Sequence, residues 1–465
     1  MTEGMDVAGK AVLVVGAARS GVAAARVLKG MGARVTLNDA KPEASLPGVG
    51  TLRAEGIRVL AGGHPRHLFR ETDLIVVSPG VPLSLPPLAE ALAHGVPVMG
   101  ELELAYRIAR APFLAVTGTN GKSTTTALVG EILREAGVGA YVGGNIGNAL
   151  CADPEALVHA EVVVAEVSSF QLETVETFRP RWAALLNLTP DHLDRYESFE
   201  AYAAAKARIF RNQGPEDWLV LNQDDPRVVA MAGQARCRVA FFSRRSPVAC
   251  GVFAASGQIV STLGGQREPI LPVAALRLVG THNLENALAA AALSLLAGCP
   301  VQAVARALAR FPGLEHRMEL VRELGGVRYI NDSKGTNVGA VMRSLESLSG
   351  PVILIAGGLD KGSDFAPLVP LVRERVRLLV LLGAARERMA RALSGAAEMA
   401  FVPSMEAAVE LAARRAVPGD TVLLSPACAS FDMFPDFEAR GRCFKAAVHS
   451  LGGGGGGSPP GGPEA

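Results

Sequence analysis

The stretch Phe113-Leu-Ala-Val-Thr-Gly-Thr-Asn-Gly-Lys-Ser-Thr124 joins a short apolar run to a glycine-rich turn. Residues 113–116 are predicted to form a buried strand, and the residues after the turn show the apolar spacing of an amphipathic helix. The two glycines let successive backbone N–H groups point inward, and the start of a helix favours negative charge. The stretch therefore predicts a phosphate-binding loop, shorter than the usual Walker A loop, in which Lys122 reaches phosphate oxygens and Ser123 can bind Mg²⁺.

The rest of the chain alternates short Val/Ile/Leu runs with Ala-rich amphipathic stretches, which is the pattern of parallel α/β sheets. Because 465 residues are too many for one hydrophobic core, we predict an α/β protein of three domains. They are a Rossmann-like N-terminal domain (1–100), a central P-loop ATPase-type parallel-sheet domain (101–312) and a C-terminal Rossmann-like domain (313–451). The Gly/Pro-rich end, 452–465, is predicted to be disordered.

Composition excludes several classes of protein. A net charge of +1 gives no long-range attraction for nucleic acid or anionic membranes. No apolar run is long enough to span a bilayer, and the N-terminus lacks the apolar segment of a signal peptide. The six cysteines are scattered without a CxxC pair, which favours reduced thiols. We therefore expect a soluble cytoplasmic protein without a nucleic-acid partner or a membrane span. We also expect a monomer.

Polar side chains follow the strands predicted after the phosphate loop. Glu166 lies at the end of one strand and His192 follows the next, and open α/β sheets bind ligands at these strand ends. A histidine alone would be interpreted as structural, since Mg²⁺ prefers oxygen ligands. Its position beside Glu166, with Lys206 in an apolar helical run downstream, favours a functional role.

The first strand is followed by Gly16-Ala-Ala-Arg-Ser-Gly21, which keeps the outer glycines of a dinucleotide-type turn. Ala18 replaces the middle glycine, so a pyrophosphate cannot approach the backbone as closely as in NAD enzymes. Asp39 follows the second strand, where a ribose or base would lie. We interpret this as a nucleotide bound differently from NAD; a plain strand-to-helix turn is the alternative.

Two later segments carry clustered amides and short polar side chains. His282-Asn-Leu-Glu-Asn286 opens an Ala-rich helix, where the amides either cap the helix or read a purine edge. Asn331-Asp-Ser-Lys-Gly-Thr-Asn337 follows a predicted strand and holds more polar groups than a turn requires. Residues 357–362 and 425–432 also follow predicted strands, and each of them alone is a weak signal.

In this order, the motifs resemble those of the Mur ligase family over residues 7 to 451. The resemblance implies that ATP phosphorylates the carboxylate of UDP-MurNAc-L-alanine. The amine of D-glutamate then attacks the acyl phosphate, giving an amide, ADP and phosphate. It also implies a role in peptidoglycan synthesis, and so in cell shape and division. The chain departs from the family pattern at Ala40-Lys41, where relatives carry Thr-Arg.

The resemblance also implies roles for individual residues. The catalytic residues would be Lys122, Glu166, His192 and Lys206. ATP would contact Gly118, Thr119, Asn120, Gly121, Lys122, Ser123, Thr124, Thr125, Asn283, Asn286, Arg317 and Asp332. The D-glutamate pocket would contain Lys334, Thr336, Lys361, Ser430 and Phe437, and the UDP-substrate would contact Ser20, Asp39, Ser78 and Asn145. Two Mg²⁺ ions would be held by Ser123, Glu166, His192 and Lys206, the last as a carbamate formed with CO₂. Carbamate formation needs a neutral amine, which an apolar setting favours by lowering the pKa of lysine.

Other functions remain open at this point. The chain could be a sibling ligase that adds a different amino acid, or a folylpolyglutamate synthetase. The cationic pair Lys334 and Lys361 suits an acidic amino acid, and the Asp/Asn-Asn-Pro-Arg tetrad of the diaminopimelate-adding enzyme is missing. A protein of a different class would use ATP only to drive a conformational switch, without ligase activity.

Overall fold

The computed structural model describes residues 5–46, 48–192, 195–278, 280–360 and 362–451. Three β-sheets organise these residues, of five, nine and six strands. The described residues up to 277 and those at 283–311 form one compact unit, which holds the first two sheets, and the remaining described residues form a second. The predicted α/β architecture with three domains is confirmed. The predicted tail at 452–465 lies outside the described residues.

The first sheet has five parallel strands in the order β3-β2-β1-β4-β5. The strands are β1 (Ala11–Val15), β2 (Arg34–Asp39), β3 (Arg58–Ala61), β4 (Leu74–Val77) and β5 (Val98–Gly100). The connecting helices are α1 (Arg19–Gly30), α2 (Val49–Ala54), α3 (Arg66–Arg70) and α4 (Pro86–Ala93). At the β1–α1 turn, a Cβ on Gly21 would lie 1.8 Å from the carbonyl oxygen of Gly16, so only glycine fits there. The predicted Rossmann-like topology is present.

The central sheet has nine strands in the order β14-β13-β12-β11-β10-β9-β6-β8-β7. They are β6 (Phe113–Thr117), β7 (Ala140–Gly144), β8 (Val162–Glu166), β9 (Trp182–Leu185), β10 (Trp218–Asn222), β11 (Arg238–Ser243), β12 (Gly251–Ala255), β13 (Gln258–Ser261) and β14 (Glu268–Pro272). The associated helices are α5 (Glu101–Ile108), α6 (Lys122–Glu135), α7 (Pro154–His159), α8 (Ser169–Leu172), α9 (Phe199–Ala207), α10 (Pro226–Val229), α11 (Thr281–Leu296) and α12 (Val301–Arg310). The strands pair in parallel except at β12–β14. There Ser256 and Gly257 both have positive φ, which is the geometry of a two-residue hairpin turn.

The third sheet, in the second unit, has the order β15-β16-β20-β17-β18-β19, and only β15 and β16 are antiparallel. Its strands are β15 (Glu319–Leu324), β16 (Val327–Asn331), β17 (Val352–Gly357), β18 (Val376–Leu382), β19 (Glu398–Phe401) and β20 (Thr421–Leu424). Its helices are α13 (Val338–Glu346), α14 (Val369–Arg375), α15 (Arg386–Ala392), α16 (Met405–Arg415) and α17 (Phe437–Ser450). Gly325 and Gly326, both with positive φ, close the antiparallel hairpin.

One hydrophobic core connects the first two sheets. It includes Val12 and Leu28 from the first domain and Phe113 and Leu185 from the central domain. α5, which joins the two domains, contributes Leu102 and other buried residues to the same core. Within the described residues, no helix combines the length and the apolar character needed to cross a lipid bilayer.

α5 also begins with a buried carboxyl group, Glu101. Its Oε1 accepts a 2.6 Å hydrogen bond from the backbone N–H of Cys151. Its Oε2 is buried without a hydrogen-bond partner among the described residues. Burial raises the pKa of Glu101 to about 7. A neutral carboxylic acid therefore fits this position better than a carboxylate does.

Glu101→Gln should change how stability depends on pH. Between pH 4.5 and about 7 the folded protein keeps a proton that the unfolded chain has released, so stability falls as pH rises through this window. The shift corresponds to roughly 3 kcal/mol at full ionisation. Because glutamine does not ionise, the variant should lose less stability than the wild type between pH 5 and pH 8 in thermal melts. An identical pH profile for the two proteins would contradict this account of Glu101.

Candidate active site

The predicted phosphate loop follows β6, and α6 begins at Lys122. Gly118 and Gly121 have φ of 149° and 84°, which disfavour other residues. A Cβ on Gly121 would lie 2.2 Å from Oδ1 of Asn286. The side chain of Asn187 holds the loop from the opposite side, since it bonds both the N–H and the carbonyl of Asn120. The loop is therefore fixed with its helix N-terminus at the carboxyl end of the central sheet, where anions bind.

Two predicted lysines converge on this loop. Lys122 Nζ donates to the carbonyl oxygens of Gly118 and Thr119, each at 2.9 Å. Lys206 Nζ, from α9, also donates to the Gly118 carbonyl at 2.9 Å. Lys206 is only 2% exposed. Burial, followed by the nearby charge of Lys122, lowers the pKa of Lys206 well below its ordinary value, whereas Asp191 and Glu166 oppose the shift.

Tyr202 lies one helical turn before Lys206 and covers its amine. The Nζ atom lies 4.8 Å from the centre of the Tyr202 ring. The Tyr202 hydroxyl donates to Oγ1 of Thr119 at 3.1 Å, so the tyrosine also contacts the phosphate loop. The sequence analysis did not identify Tyr202. The i, i+4 spacing to Lys206 places both on one helix face and could have indicated it.

His192 lies in the loop after β9 and has a left-handed backbone, with φ of 54°. Its ring centre is 4.8 Å from that of Phe170 and 6.4 Å from that of Tyr202. Its side chain is 44% exposed, so the imidazole remains accessible to solvent. Leu193 and Asp194 lie outside the described residues.

A second cluster holds Arg195 and Tyr196. Glu173 accepts hydrogen bonds from Arg195 and from the hydroxyl of Tyr196, both at 2.6 Å. Arg195 also donates to the carbonyl of Pro79, in the first domain, at 3.2 Å. The guanidinium lies 4.2 Å above the ring of Phe170, which also contacts His192.

Glu166 is the last residue of β8 and is buried. Its Oε1 accepts from Nδ2 of Asn145 at 2.7 Å. Its Oε2 is buried and lacks a hydrogen-bond partner in the part of the chain that the structure describes. An unsatisfied carboxyl oxygen is the type of ligand that Mg²⁺ prefers, so the residues present fit a magnesium ion. Among the described residues, no three His, Cys, Asp or Glu side chains are grouped to hold a metal by themselves. Any ion here would therefore need ligands of other kinds.

The predicted adenine contacts lie in different units. Asn283 and Asn286 are at the start of α11, where Asn286 Nδ2 donates to Oδ1 of Asn283 at 3.3 Å. Asn286 Oδ1 also accepts from the hydroxyl of Thr125 at 3.4 Å, so this pair lies against the phosphate loop. Arg317 and Asp332 belong to the second unit, where the positive charge of Arg317 favours the ionised form of Asp332.

Most of the predicted UDP-substrate contacts surround the β1–α1 turn. Asp39 accepts backbone N–H groups from Ala17 at 2.7 Å and Lys41 at 2.8 Å. Ser78 donates to the carbonyl of Gly16 at 2.9 Å, and Ser20 is half-buried in the first turn of α1. Asn145 lies in the central domain beside Glu166. The two regions are connected by Arg19, which donates to the carbonyl of Gly147 at 3.1 Å.

In the second unit, Asp332 is buried after β16. Its Oδ2 accepts from the hydroxyls of Ser344 and Ser425, both at 2.7 Å. Burial raises the pKa of Asp332 to about 6, and these hydrogen bonds oppose the shift. The predicted D-glutamate residues described here follow β16 (Lys334 and Thr336), follow β20 (Ser430) or begin α17 (Phe437). Lys334 Nζ lies 4.3 Å above the ring of Phe437, Ser430 is buried and Thr336 is exposed. Lys361 lies outside the described residues.

Arg440 is a buried residue of α17 that the sequence analysis missed. Its guanidinium donates to the hydroxyl and carbonyl oxygens of Ser333 at 3.0 and 2.8 Å. It also donates to the carbonyls of Cys428 and Ala429 at 3.1 and 3.3 Å. Arg440 thus connects the segment before Lys334 with the segment before Ser430 by hydrogen bonds. No local pattern indicated it, because an arginine in an amphipathic helix is ordinarily exposed.

Three models of Mur ligase domains match successive parts of the chain. They are a MurD-like N-terminal domain at residues 10–100, the Mur ligase middle domain at 116–294 and the Mur ligase glutamate ligase domain at 316–428. The chain belongs to the Mur ligase family.

Within this family, the chain is similar to curated UDP-N-acetylmuramoylalanine–D-glutamate ligases. The chain is 51% identical to that of Pelotomaculum thermopropionicum, over 96% of this chain and 99% of the relative. It is 50% identical to that of Geotalea uraniireducens, with the same two coverages.

The fold is also similar to solved structures. A pseudomurein peptide ligase type C from Methanothermus fervidus aligns with a TM-score of 0.62 and 19% identity, covering 95% of this chain and 100% of that one. A UDP-N-acetylmuramate-alanine ligase from Thermotoga maritima aligns with a TM-score of 0.59 and 20% identity, covering 95% and 99%. At these identities the likeness concerns the fold alone.

Proposed function

We propose that this protein is an ATP-dependent ligase that joins D-glutamate to UDP-N-acetylmuramoyl-L-alanine during peptidoglycan precursor synthesis. The near-full-length identity to ligases of that name supports this reaction. The observation that carries the chemistry is the buried amine of Lys206 on the phosphate loop, beside Glu166. A loop that only held ATP would not require a second, desolvated lysine.

The reaction proceeds through an acyl phosphate in this proposal. The γ-phosphoryl group of ATP is transferred to the carboxylate of the UDP-substrate, which makes its oxygen a leaving group. The amine of D-glutamate attacks the carbonyl carbon, and phosphate departs as the amide forms. Several anions meet in this step, so cationic groups must offset their repulsion. Loop residues 118–125 would bind the phosphates through backbone N–H groups and the side chain of Lys122.

We further propose that Ser123, Glu166 and His192 bind Mg²⁺, with Lys206 as a carbamate completing the ligands for two ions. Bound Mg²⁺ would supply positive charge that offsets the phosphate and carboxylate charges. The unpartnered Oε2 of Glu166 supports its role as a ligand. The low pKa of Lys206 supports the carbamate, because only the neutral amine reacts with CO₂. Carbamate formation would convert the amine of Lys206, which now donates to the Gly118 carbonyl, into a group with two acceptor oxygens.

The remaining contacts are proposed as follows. Asn283, Asn286, Arg317 and Asp332 would bind adenine and ribose. Lys334, Thr336, Lys361, Ser430 and Phe437 would form the D-glutamate pocket. Ser20, Asp39, Ser78 and Asn145 would bind the UDP-substrate, and the two backbone N–H groups already bound to Asp39 indicate that it shapes the turn as well. We also propose that the protein acts as a cytoplasmic monomer. Its product would then serve cell shape and cell division.

Substrate dependence tests this proposal. We expect amide formation and phosphate release only when ATP, UDP-MurNAc-L-alanine and D-glutamate are all present. L-Glutamate, L-alanine and diaminopimelate should each support less than about 5% of that rate. L-Glutamate has the opposite configuration, L-alanine lacks a side-chain carboxylate, and diaminopimelate carries its second carboxylate on a longer chain with an additional amine. A higher rate with one of them would indicate a sibling ligase. Phosphate release without amino acid and UDP-substrate would indicate an ATP-driven switch.

A further inference from the structure

The first domain contains a cavity at the end of its sheet opposite to the nucleotide turn. The cavity has a volume of about 370 Å³. It is lined by the first residues of β1, β2 and β3, the end of α1 and the segment after α3. Because these strands are parallel, the Gly16 turn and Asp39 lie at their other ends, roughly 15 Å away for a five-residue strand. The cavity is therefore separate from the proposed UDP-substrate site.

Three cations line this cavity. They are Lys29 at the end of α1, Arg34 at the start of β2 and Arg58 at the start of β3. Strand register places Arg34 level with Ala11 and Arg58 level with Thr36. Among the described residues that line the cavity, Glu71 is the only one with an acidic side chain. The lining thus carries an excess of two positive charges in a domain surface that is otherwise close to balanced.

Among the residues that the structure describes, the three cations of the cavity form no ion pair. On the same domain, Arg26 pairs with Glu55 at 2.8 Å and Arg53 with Glu43 at 2.6 Å. Within the described ranges, Lys29, Arg34 and Arg58 have no carboxylate within 4.0 Å, including that of Glu71. Like charges held together in a cleft repel one another and attract anions.

Local geometry keeps two of these cations in place. Arg34 Nε donates to the carbonyl of Gly9 at 3.2 Å, which directs the guanidinium while its terminal nitrogens remain available. Lys29 Nζ lies beside Gly56, where an added Cβ would be 3.2 Å from it and φ is +77°. A residue larger than glycine at position 56 would displace the lysine. Leu13 and Leu68, which share one hydrophobic cluster, form an apolar wall of the same cavity.

We propose that this cavity is a second anion-binding site, which takes a small molecule bearing two or more closely spaced phosphate groups. The volume lies within the range of sites for small ligands. Guanidinium groups bind phosphate oxygens in pairs, and Lys29 provides a third positive group. The apolar wall would contact the uncharged part of the ligand. This site goes beyond the proposed ligase reaction and does not depend on it.

Calorimetric titration with inorganic pyrophosphate tests the site on the full chain. We expect the wild type to bind one more equivalent of pyrophosphate than the double variant Arg34→Gln/Arg58→Gln. If the variant still binds this additional pyrophosphate, its affinity should be at least about tenfold lower. Arg26→Gln/Arg53→Gln is the matched control, because it removes two paired arginines from the same domain, and it should bind like the wild type.

Ligase activity, measured on all three proteins, should be unchanged if the variants are folded. Equal stoichiometry and affinity for pyrophosphate in the three proteins would overturn the proposal. An equal loss of pyrophosphate affinity in the cavity variant and in the control would also overturn the proposal, because it would indicate that pyrophosphate responds to the overall surface charge of the domain. A further single variant, Lys29→Gln, should weaken the same equivalent, which protects the test against misfolding of the double variant.

Discussion

Lys206→Met is expected to lower turnover by at least about a hundredfold while it leaves ATP binding nearly unchanged. Methionine keeps the length of the apolar stem but removes the amine that contacts the Gly118 carbonyl. The folded protein should not lose stability. Because burial lowers the pKa of Lys206, the unfolded chain binds this proton more readily at neutral pH, and burying the lysine costs free energy that methionine does not. Turnover, nucleotide affinity by calorimetry and thermal melting are the three measurements.

Two further variants separate the amine chemistry of Lys206 from its charge. Lys206→Arg keeps a cation but has no neutral amine for CO₂, so it should remain as inactive as the methionine variant. Lys10→Met is the control, because it changes an exposed lysine of the same compact unit, and its turnover should equal that of the wild type. Depleting CO₂ from wild-type enzyme should reduce turnover, and bicarbonate should restore it. Full activity of Lys206→Arg would rule out the carbamate.

Glu166→Gln should have the second largest effect. The side-chain oxygen of the new glutamine can still accept the hydrogen bond from Asn145. Its NH₂ group takes the place of Oε2, which has no partner among the described residues, and an NH₂ group cannot bind a cation. We expect turnover to fall by about a hundredfold, with the Mg²⁺ concentration for half-maximal rate increased. Stability should change by less than about 1 kcal/mol, since no hydrogen bond to the oxygen is lost.

The matched control is Glu161→Gln, just before the other end of the same strand. The carboxylate of Glu161 accepts the backbone N–H of Gly139 at 2.7 Å and is distant from the phosphate loop. This variant should keep wild-type Mg²⁺ dependence and turnover. If Glu166→Gln showed unchanged Mg²⁺ dependence, Glu166 would not be a metal ligand, whatever its effect on turnover.

Local signals in the sequence predicted the phosphate loop because its function depends on backbone groups. Glycine spacing indicates which backbone N–H groups can face a phosphate, and the positive φ observed at Gly118 and Gly121 agrees with it. The strand predicted at 113–116 agrees with β6 (Phe113–Thr117) to within one residue, because those four residues are continuously apolar. The antiparallel edges were not predicted as hairpins. The pairs Ser256-Gly257 and Gly325-Gly326 carried that signal.

Contacts between distant residues could not be read from local patterns. Glu166 and Asn145 are 21 positions apart, and their hydrogen bond depends on the neighbouring strands β7 and β8. The carboxylate of Asp39 was predicted as a substrate contact from its position after β2. The structure adds that both oxygens accept backbone N–H groups of nearby turns, which position alone does not indicate. The ring contacts of His192 with Phe170 and Tyr202 likewise join residues that are 22 and 10 positions away in the sequence.

The hydrophobic core shared by the first two sheets has a consequence for any attempt to dissect this protein. α5 buries Leu102, Leu104 and Ala105 in a cluster that draws residues from both domains. A fragment truncated after residue 100 would present the first domain's share of that cluster to water, and the remaining fragment would do the same. These two domains should therefore melt in one cooperative transition, and neither is a suitable module for separate expression or for grafting onto another ligase.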